Sequence, residues 1–274
     1  MNSVQQQIIS LREVLNRYNY EYYVLDNATI SDYEFDVKLK ELEALEAAYP
    51  EYYNANSPSQ RVGGAVTKNF KTLQHKNRMY SLDNSYSKED LLDWEKRLQK
   101  NLGTEAIEFT CELKYDGASI NLTYENGEFV KAVTRGDGFQ GDEVTSNIRT
   151  IKSIPLVLNA NFLSNFEIRG EIILPLEGFQ KMNQERIENG EDTYRNPRNT
   201  ASGSLKLQDS GEVAKRPLDC LLYQVVTNER TYSTHFESLE ASRAAGFKVP
   251  DTIILAKSID EVFHFVNEWD QKRH

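Results

Sequence analysis

Apolar positions at the front of the chain recur with a helical period. Val4, Ile8, Leu11, Leu15, Tyr18 and Tyr22 fall on one face, and Ser3-x-x-Gln6 offers a capping box for the helix they predict. After a turn through Asp26-Asn27-Ala28, Ser31-x-x-Glu34 caps a second predicted helix. That helix carries Phe35, Leu39, Leu42 and Leu45 and stops before Pro50. Two short helices make a small hairpin rather than a large core. The run Ser57-Pro58-Ser59-Gln60-Arg61-Val62-Gly63-Gly64 reads as a linker, which places a domain boundary near residue 69: a helical domain over 1–69 and a larger domain over 70–274.

Beyond the boundary the period changes. Ser87-x-x-Asp90 opens a helix over about 88–101, closed by Gly103. The run Ala106 to Leu113, broken by Glu108 and Glu112, predicts a strand, and Asp116-Gly117 predicts a turn. Ala118 to Tyr124 pairs with Glu128 to Thr134 across Asn126-Gly127, a strong short hairpin signal. Further strands are expected at 166–174, 218–226 and 252–256, and helices at 176–188, 234–245 and 258–273. Strands follow one another in hairpins more often than they alternate with helices. The pattern therefore predicts an α+β fold with antiparallel sheets and flanking helices.

Composition narrows the possibilities. At 274 residues and 39% apolar content the chain is globular, long enough for one large domain or for a core domain with a smaller partner. A formal charge of -10 and a pI near 5.1 argue against gripping nucleic acid through net charge. The two cysteines, Cys111 and Cys220, each sit in a strand-like run with no C-x-x-C pair, so neither a zinc ribbon nor a disulfide framework is expected. No stretch approaches membrane-span length and the first residues lack a signal-peptide pattern, so a cytoplasmic protein with no membrane partner is expected.

Several segments carry candidate chemistry. Lys114-Tyr115-Asp116-Gly117 holds a lysine where a strand meets a turn, so its amine can be aimed at an electrophile such as phosphorus. A surface hairpin corner with a solvated lysine would read the same way. Arg135-Gly136-Asp137-Gly138-Phe139-Gln140-Gly141 contains G-x-G-x-x-G, but Asp142 and Glu143 follow and a hairpin strand precedes. A glycine-rich turn that presents Arg135 to a phosphate fits better than a dinucleotide fold. In Phe166 to Ile172, Glu167, Arg169 and Glu171 share one strand face. That face is either solvated, or it sets Glu171 in a polar cleft to meet a Mg²⁺ ion or a ribose hydroxyl. Asn196-Pro197-Arg198-Asn199 through Lys206 is a donor-rich loop or the capped start of a helix. Tyr18, Tyr20, Tyr22, Tyr23, Asp32, Tyr33 and Asp36 form an aromatic-acidic cluster suited to a flat cationic ring such as nicotinamide.

In order, Ile30 to Asp36, Ser57-Pro58-x-Gln60-Arg61-Val62-Gly63, Ser81-Leu82-Asp83-Asn84, Glu112-x-Lys114-x-Asp116-Gly117, Thr134 to Gly138, Arg169-Gly170-Glu171 and Asn196 to Asn199 resemble the N-terminal part of bacterial NAD⁺-dependent DNA ligases across essentially the whole chain. The resemblance implies a nicotinamide-binding helical domain followed by an adenylation (nucleotidyltransferase) domain. It implies that Lys114 attacks the α-phosphorus of NAD⁺, expels nicotinamide mononucleotide (NMN) and carries AMP as a phosphoramidate. Asp116 would orient the site and help place Mg²⁺, although no side chains are assigned as a metal-ligand set. Ser81, Leu82 and Glu112 would line the adenosine, with Tyr223 stacked on the base. Arg135 and Glu171 would contact ribose and phosphate, with Arg198 and Lys206 assisting, and Tyr22, Tyr23, Asp32, Phe35 and Asp36 would hold the NMN half.

Many relatives carry histidine in place of Tyr23 and tyrosine in place of Phe35. The family's Asp-Gly-Val-Val-x-Lys strand, a later lysine and its oligonucleotide-binding, zinc and helix-hairpin-helix modules are not in these 274 residues. The resemblance therefore implies a monomeric piece that binds NAD⁺, AMP and NMN, self-adenylates poorly and needs its missing parts to engage nicked duplex DNA. Two other readings share the features: an ATP- or GTP-dependent nucleotidyltransferase with the same K-x-D-G, and a non-catalytic NAD⁺-binding module.

Overall fold

A computed structural model describes residues 3–25, 27, 29–62, 69–104, 106–158, 162–229 and 232–272. The chain divides into two compact units, the first from 1–79, 115–233 and 237–249, the second from 80–114, 234–236 and 250–274.

The first unit begins with helices α1 (Ser3–Tyr23) and α2 (Asp32–Ala48). Ile8, Leu11, Leu15 and Leu42 are buried between them, with Val4, Phe35, Leu39 and Leu45 packed against that cluster. The helical period selects these positions, but it fails at the end of α1, where Asn19 is buried in place of Tyr22, which is exposed. Ser31 caps α2 as expected: its hydroxyl accepts from the Glu34 amide and Glu34 accepts back from the Ser31 amide. Ser3 lies inside α1 rather than ahead of it. Asp26 and Ala28 of the expected turn, and Gly63 and Gly64 of the expected linker, fall outside the described residues. Pro58–Val62, at the start of that linker, forms a 3₁₀ turn.

The body of this unit is a four-stranded antiparallel sheet in the order β4-β3-β6-β7. Its strands are β3 (Ala118–Glu125), β4 (Glu128–Thr134), β6 (Phe166–Ile173) and β7 (Asp219–Val226). Asn126 and Gly127 join β3 to β4 with φ of 52° and 75°; two consecutive left-handed residues match the right-handed twist of the flanking strands. One sheet face buries Ile120, Leu122, Tyr124, Ile168, Ile172, Cys220 and Leu222. Tyr124 stacks on Phe166 with ring centroids 5.0 Å apart, and Phe247 meets both edge-on. A small antiparallel pair, β1 (Thr72–Gln74) with β5 (Gln140–Asp142), adjoins the end of β4. Helices α4 (Thr145–Ile148), α5 (Leu176–Glu188), α6 (Pro197–Leu205), α7 (Ser210–Ala214) and all but the first two residues of α8 (His235–Ala244) also belong to this unit.

The helical hairpin is tied to the sheet-bearing part by buried polar contacts. Arg61, 6% exposed, donates to the carbonyls of Ile151 and Ile154 at 2.9 and 2.8 Å. Arg149 reaches the Ala55 carbonyl at 2.9 Å, and Lys248 donates to the Tyr23 carbonyl at 3.1 Å.

The second unit contains α3 (Lys88–Leu102), β2 (Phe109–Cys111), β8 (Ile254–Ala256) and α9 (Ile259–Lys272). Ser87 caps α3 through a reciprocal bond with Asp90, and Gly103 ends it at φ 68°. Phe109, Cys111, Ala256, Ile259 and Phe265 form its core, with Leu91, Leu98 and Trp269 against it. The strand expected over 106–113 is only three residues long, because its antiparallel partner β8 offers only three residues to pair with. Both cysteines are buried free thiols.

Candidate functional site

Residues 112–117 have no regular hydrogen-bonded structure. β2 pairs with β8 while β3 pairs with β4 and β6, so Lys114 is not a hairpin corner: it lies in a connection between two different sheets. Lys114 and Asp116 are exposed. Gly117 is buried, and a Cβ there would sit 2.1 Å from the Ile172 carbonyl oxygen, so only glycine fits.

On the first unit, Gly117 opens a connected polar group. Its amide donates to one Glu171 carboxylate oxygen at 3.2 Å, and the Ser119 hydroxyl donates to the other at 2.9 Å. Ser119 Oγ also lies 2.9 Å from the Tyr223 hydroxyl. Strand register explains the meeting: Ser119 on β3 stands opposite Glu171 on β6. An irregularity in the β6–β7 pairing between Arg169 and Gly170 leaves Tyr223 unpaired on its own strand, beside Ser119. Burial pushes the Tyr223 phenol up and its bond to Ser119 partly offsets this, so it is a neutral hydroxyl at physiological pH.

Other predicted residues join this unit in pairs. Arg198, near the start of α6, contacts Asp116 at 3.2 Å, and Lys206 contacts Asp142 at 2.9 Å. Asn196 caps α6 through the Asn199 amide, so the donor-rich segment is a capped helix start. Arg135 is exposed in the glycine-rich turn, and its amide donates to the Ser119 carbonyl at 3.0 Å. Asp137 closes that turn by accepting from the Phe139 and Gln140 amides. Gly141 lies in β5 and β4 belongs to an antiparallel hairpin, so the G-x-G-x-x-G string has no βαβ setting.

The charged stripe on β6 is not a solvated face. Glu167 and Arg169 are 7% and 6% exposed. Alternation in the sequence cannot distinguish a polar face in water from one covered by another segment, and here residues 77 and 78 cover it.

Among the nicotinamide candidates, Tyr22, Asp32 and Asp36 are exposed, while Phe35 packs against the hairpin core. Tyr22 and Tyr23 meet edge to face at 4.7 Å. Lys152 stands 5.3 Å from the Tyr23 ring centroid, a cation that the sequence reading missed, as it did Lys248.

In the second unit Ser81 and Leu82 are exposed, Leu82 at 77%. Glu112 pairs with His235 at 2.8 Å. His235 was also missed; a lone histidine 123 residues away in sequence carries no local signal. Among the described residues no group of three or more His, Cys, Asp or Glu side chains could hold a metal ion, and no helix is long and apolar enough to cross a membrane.

The described elements form an α+β protein with a helical pair at its front. Residues 67–274 match the NAD-dependent DNA ligase adenylation domain, and residues 1–63 match the DNA ligase-like N-terminal NAD⁺-binding domain. The chain is 66% identical over 272 residues to a DNA ligase of Flavobacterium psychrophilum, 65% to one of Flavobacterium johnsoniae and 62% over 271 residues to one of Christiangramia forsetii. Each alignment covers 99% of this chain and 41% of the relative, so the chain spans about two fifths of their length. It belongs to the NAD-dependent DNA ligase family, of which it holds the N-terminal NAD⁺-binding and adenylation domains.

Proposed function

We propose that these residues perform the first chemical step of nick sealing, transfer of AMP from NAD⁺ to Lys114. The Lys114 amine attacks the α-phosphorus of NAD⁺, the phosphoanhydride bond breaks, NMN leaves, and AMP remains on Nζ through a P–N bond. The proton lost from the amine passes to solvent or the leaving phosphate. The observation that carries this reading is the Gly117–Glu171–Ser119–Tyr223 group, which begins three residues after Lys114 and offers an oriented carboxylate and a neutral phenol.

Glu171 and Arg135 serve the ribose and phosphate, Tyr223 stacks on adenine, and Ser81, Leu82 and Glu112 contact the adenosine. Arg198 and Lys206 neutralise phosphate charge. Tyr22, Tyr23, Asp32 and Asp36 hold the NMN half, with Phe35 supporting them from the hairpin core. Domains of 1–69 and 70–274 divide these two tasks. Mg²⁺ needs only one or two carboxylates when it arrives with phosphate oxygens, and Asp116, exposed and touching only Arg198 among the contacts described, fits that role. Asp116 would hold the ion there, and the ion would neutralise charge on the phosphates.

The adenylate then serves nicked duplex DNA in a cytoplasmic, monomeric ligase. An ATP user has no need of a nicotinamide clamp. In a ligase-length protein carrying these residues, deletion of 1–69 abolishes reaction with NAD⁺; undiminished AMP transfer after that deletion would contradict the assignment.

A further inference from the structure

Arg169 is a buried cation, on the same strand as Glu171, that the proposed chemistry leaves without a task. It lies on the same β6 face as Glu171, two residues away, and is 6% exposed. One terminal nitrogen donates to the Gln224 side-chain oxygen at 3.0 Å. The other donates to two successive main-chain carbonyls, Asn77 at 2.8 Å and Arg78 at 3.0 Å. Glu167, two residues the other way on the same face, accepts from the Asn77 side chain at 3.4 Å.

The far side of this short segment is fixed as well. The amide of the buried Met79 donates to the Gly138 carbonyl at 2.9 Å, and the Arg78 guanidinium stacks 4.0 Å from the centroid of the Phe139 ring. Residues 77–79 are thus clasped between the polar face of β6 and the glycine-rich turn that carries Arg135. The chain runs from there directly into Tyr80, Ser81 and Leu82.

We propose that Arg169 is a positioning residue for nucleotide binding. Its guanidinium fixes the carbonyls of Asn77 and Arg78 to the strand that bears Glu171, and so holds the 77–79 segment against the polar face of that strand. The planar fork of arginine suits this, because one edge can grip two adjacent carbonyls while the other holds Gln224. A lysine ends in a single nitrogen and cannot hold Gln224 from one nitrogen and the two carbonyls from another, as Arg169 does. The inference rests on the assignment of Glu171 and Tyr223 to the nucleotide.

The test measures NAD⁺ binding to this chain by calorimetry and amide hydrogen exchange residue by residue. In Arg169→Lys, NAD⁺ binding weakens about tenfold, in line with the loss of a charge-assisted bond. Exchange speeds selectively at 76–82 while amides of α1 and α3 keep their protection. Unchanged affinity, or exchange that rises uniformly across the unit, overturns the proposal. If Arg169→Lys does not fold, Gln224→Met, which removes the side-chain anchor but keeps the cation, is judged by the same criteria. Tyr223→Ala separates the two layers of inference. Loss of NAD⁺ binding there with full binding in Arg169→Lys rejects only the positioning role, whereas full binding in both rejects the adenosine assignment itself.

Discussion

The hydroxyl of Ser119 lies 2.9 Å from both a carboxylate oxygen of Glu171 and the hydroxyl of Tyr223, so one small side chain joins three strands of the central sheet. A serine can bridge in this way because its single hydroxyl both donates and accepts. Donation to Glu171 leaves its lone pairs for the Tyr223 phenol, and burial keeps that phenol protonated.

Tyr223→Phe removes the phenol from this chain but keeps the ring. A neutral hydrogen bond of this kind is worth about 1 kcal/mol, and urea unfolding should read a loss of that size. NAD⁺ affinity should stay within a few fold of the parent protein, because stacking needs only the ring. Tyr223→Ala should weaken binding by about tenfold or more, since an aromatic stack of roughly 1–3 kcal/mol is lost. Equal binding by the Phe and Ala variants would remove Tyr223 from the base.

Gly117→Ala places a methyl group 2.1 Å from the Ile172 carbonyl oxygen, a backbone atom that cannot rotate away. β3 and β6 must separate or the 114–117 connection must shift, at a cost of about 3 kcal/mol. The Gly117 amide then leaves Glu171. Urea unfolding measures the first effect, and loss of AMP transfer out of proportion to the stability change measures the second.

Arg61→Ala strands the buried carbonyls of Ile151 and Ile154. Burial pulls the guanidinium down to about 10, still charged at neutral pH, so a charge-bearing pair of hydrogen bonds is lost. Unfolding should register a loss of about 3 kcal/mol. Hydrogen exchange should rise at 55–62 and 150–155 before it rises in β3 and β6.

Acid should weaken the helix caps. The Ser31 amide and hydroxyl hold the Glu34 carboxyl below its ordinary 4.5, and the Tyr86 amide, with the Ser87 hydroxyl and amide, holds that of Asp90 below 3.8. A depressed carboxyl pKa means stability that is complete above the unfolded value and is lost as pH falls through the folded one. The double variant Glu34→Gln, Asp90→Asn should therefore be less stable than the parent above about pH 5, and the difference should vanish toward pH 2, as followed by urea midpoints. A stability difference that persists undiminished at pH 2 would show that charge is not its source.

Local chemistry made much of the fold legible. Ser31 with Glu34, Ser87 with Asp90, and Asn126 with Gly127 announce their structures because every group involved lies within four residues. The site was legible only in part, for the opposite reason. Glu112 meets His235 across 123 residues and Arg169 meets the carbonyls of Asn77 and Arg78 across about 90, and backbone carbonyls leave no mark in a sequence. Strand length behaved likewise: the apolar run 106–113 looks like eight residues of strand, but pairing with β8 sets it at three. The β6 stripe left two readings open because alternation reports which residues share a face, not what covers that face.

Lys114 as the acceptor of AMP is tested most directly by intact-mass spectrometry. Residues 1–274 replace the matching segment of the Flavobacterium psychrophilum DNA ligase, and the chimera is incubated with NAD⁺ and Mg²⁺ without DNA. The expected result is a mass gain of one AMP moiety, released by acid as a phosphoramidate is, and absent in Lys114→Ala. An AMP adduct that persists in Lys114→Ala, or no adduct on the chimera under conditions where the parent ligase forms one, would contradict the assignment.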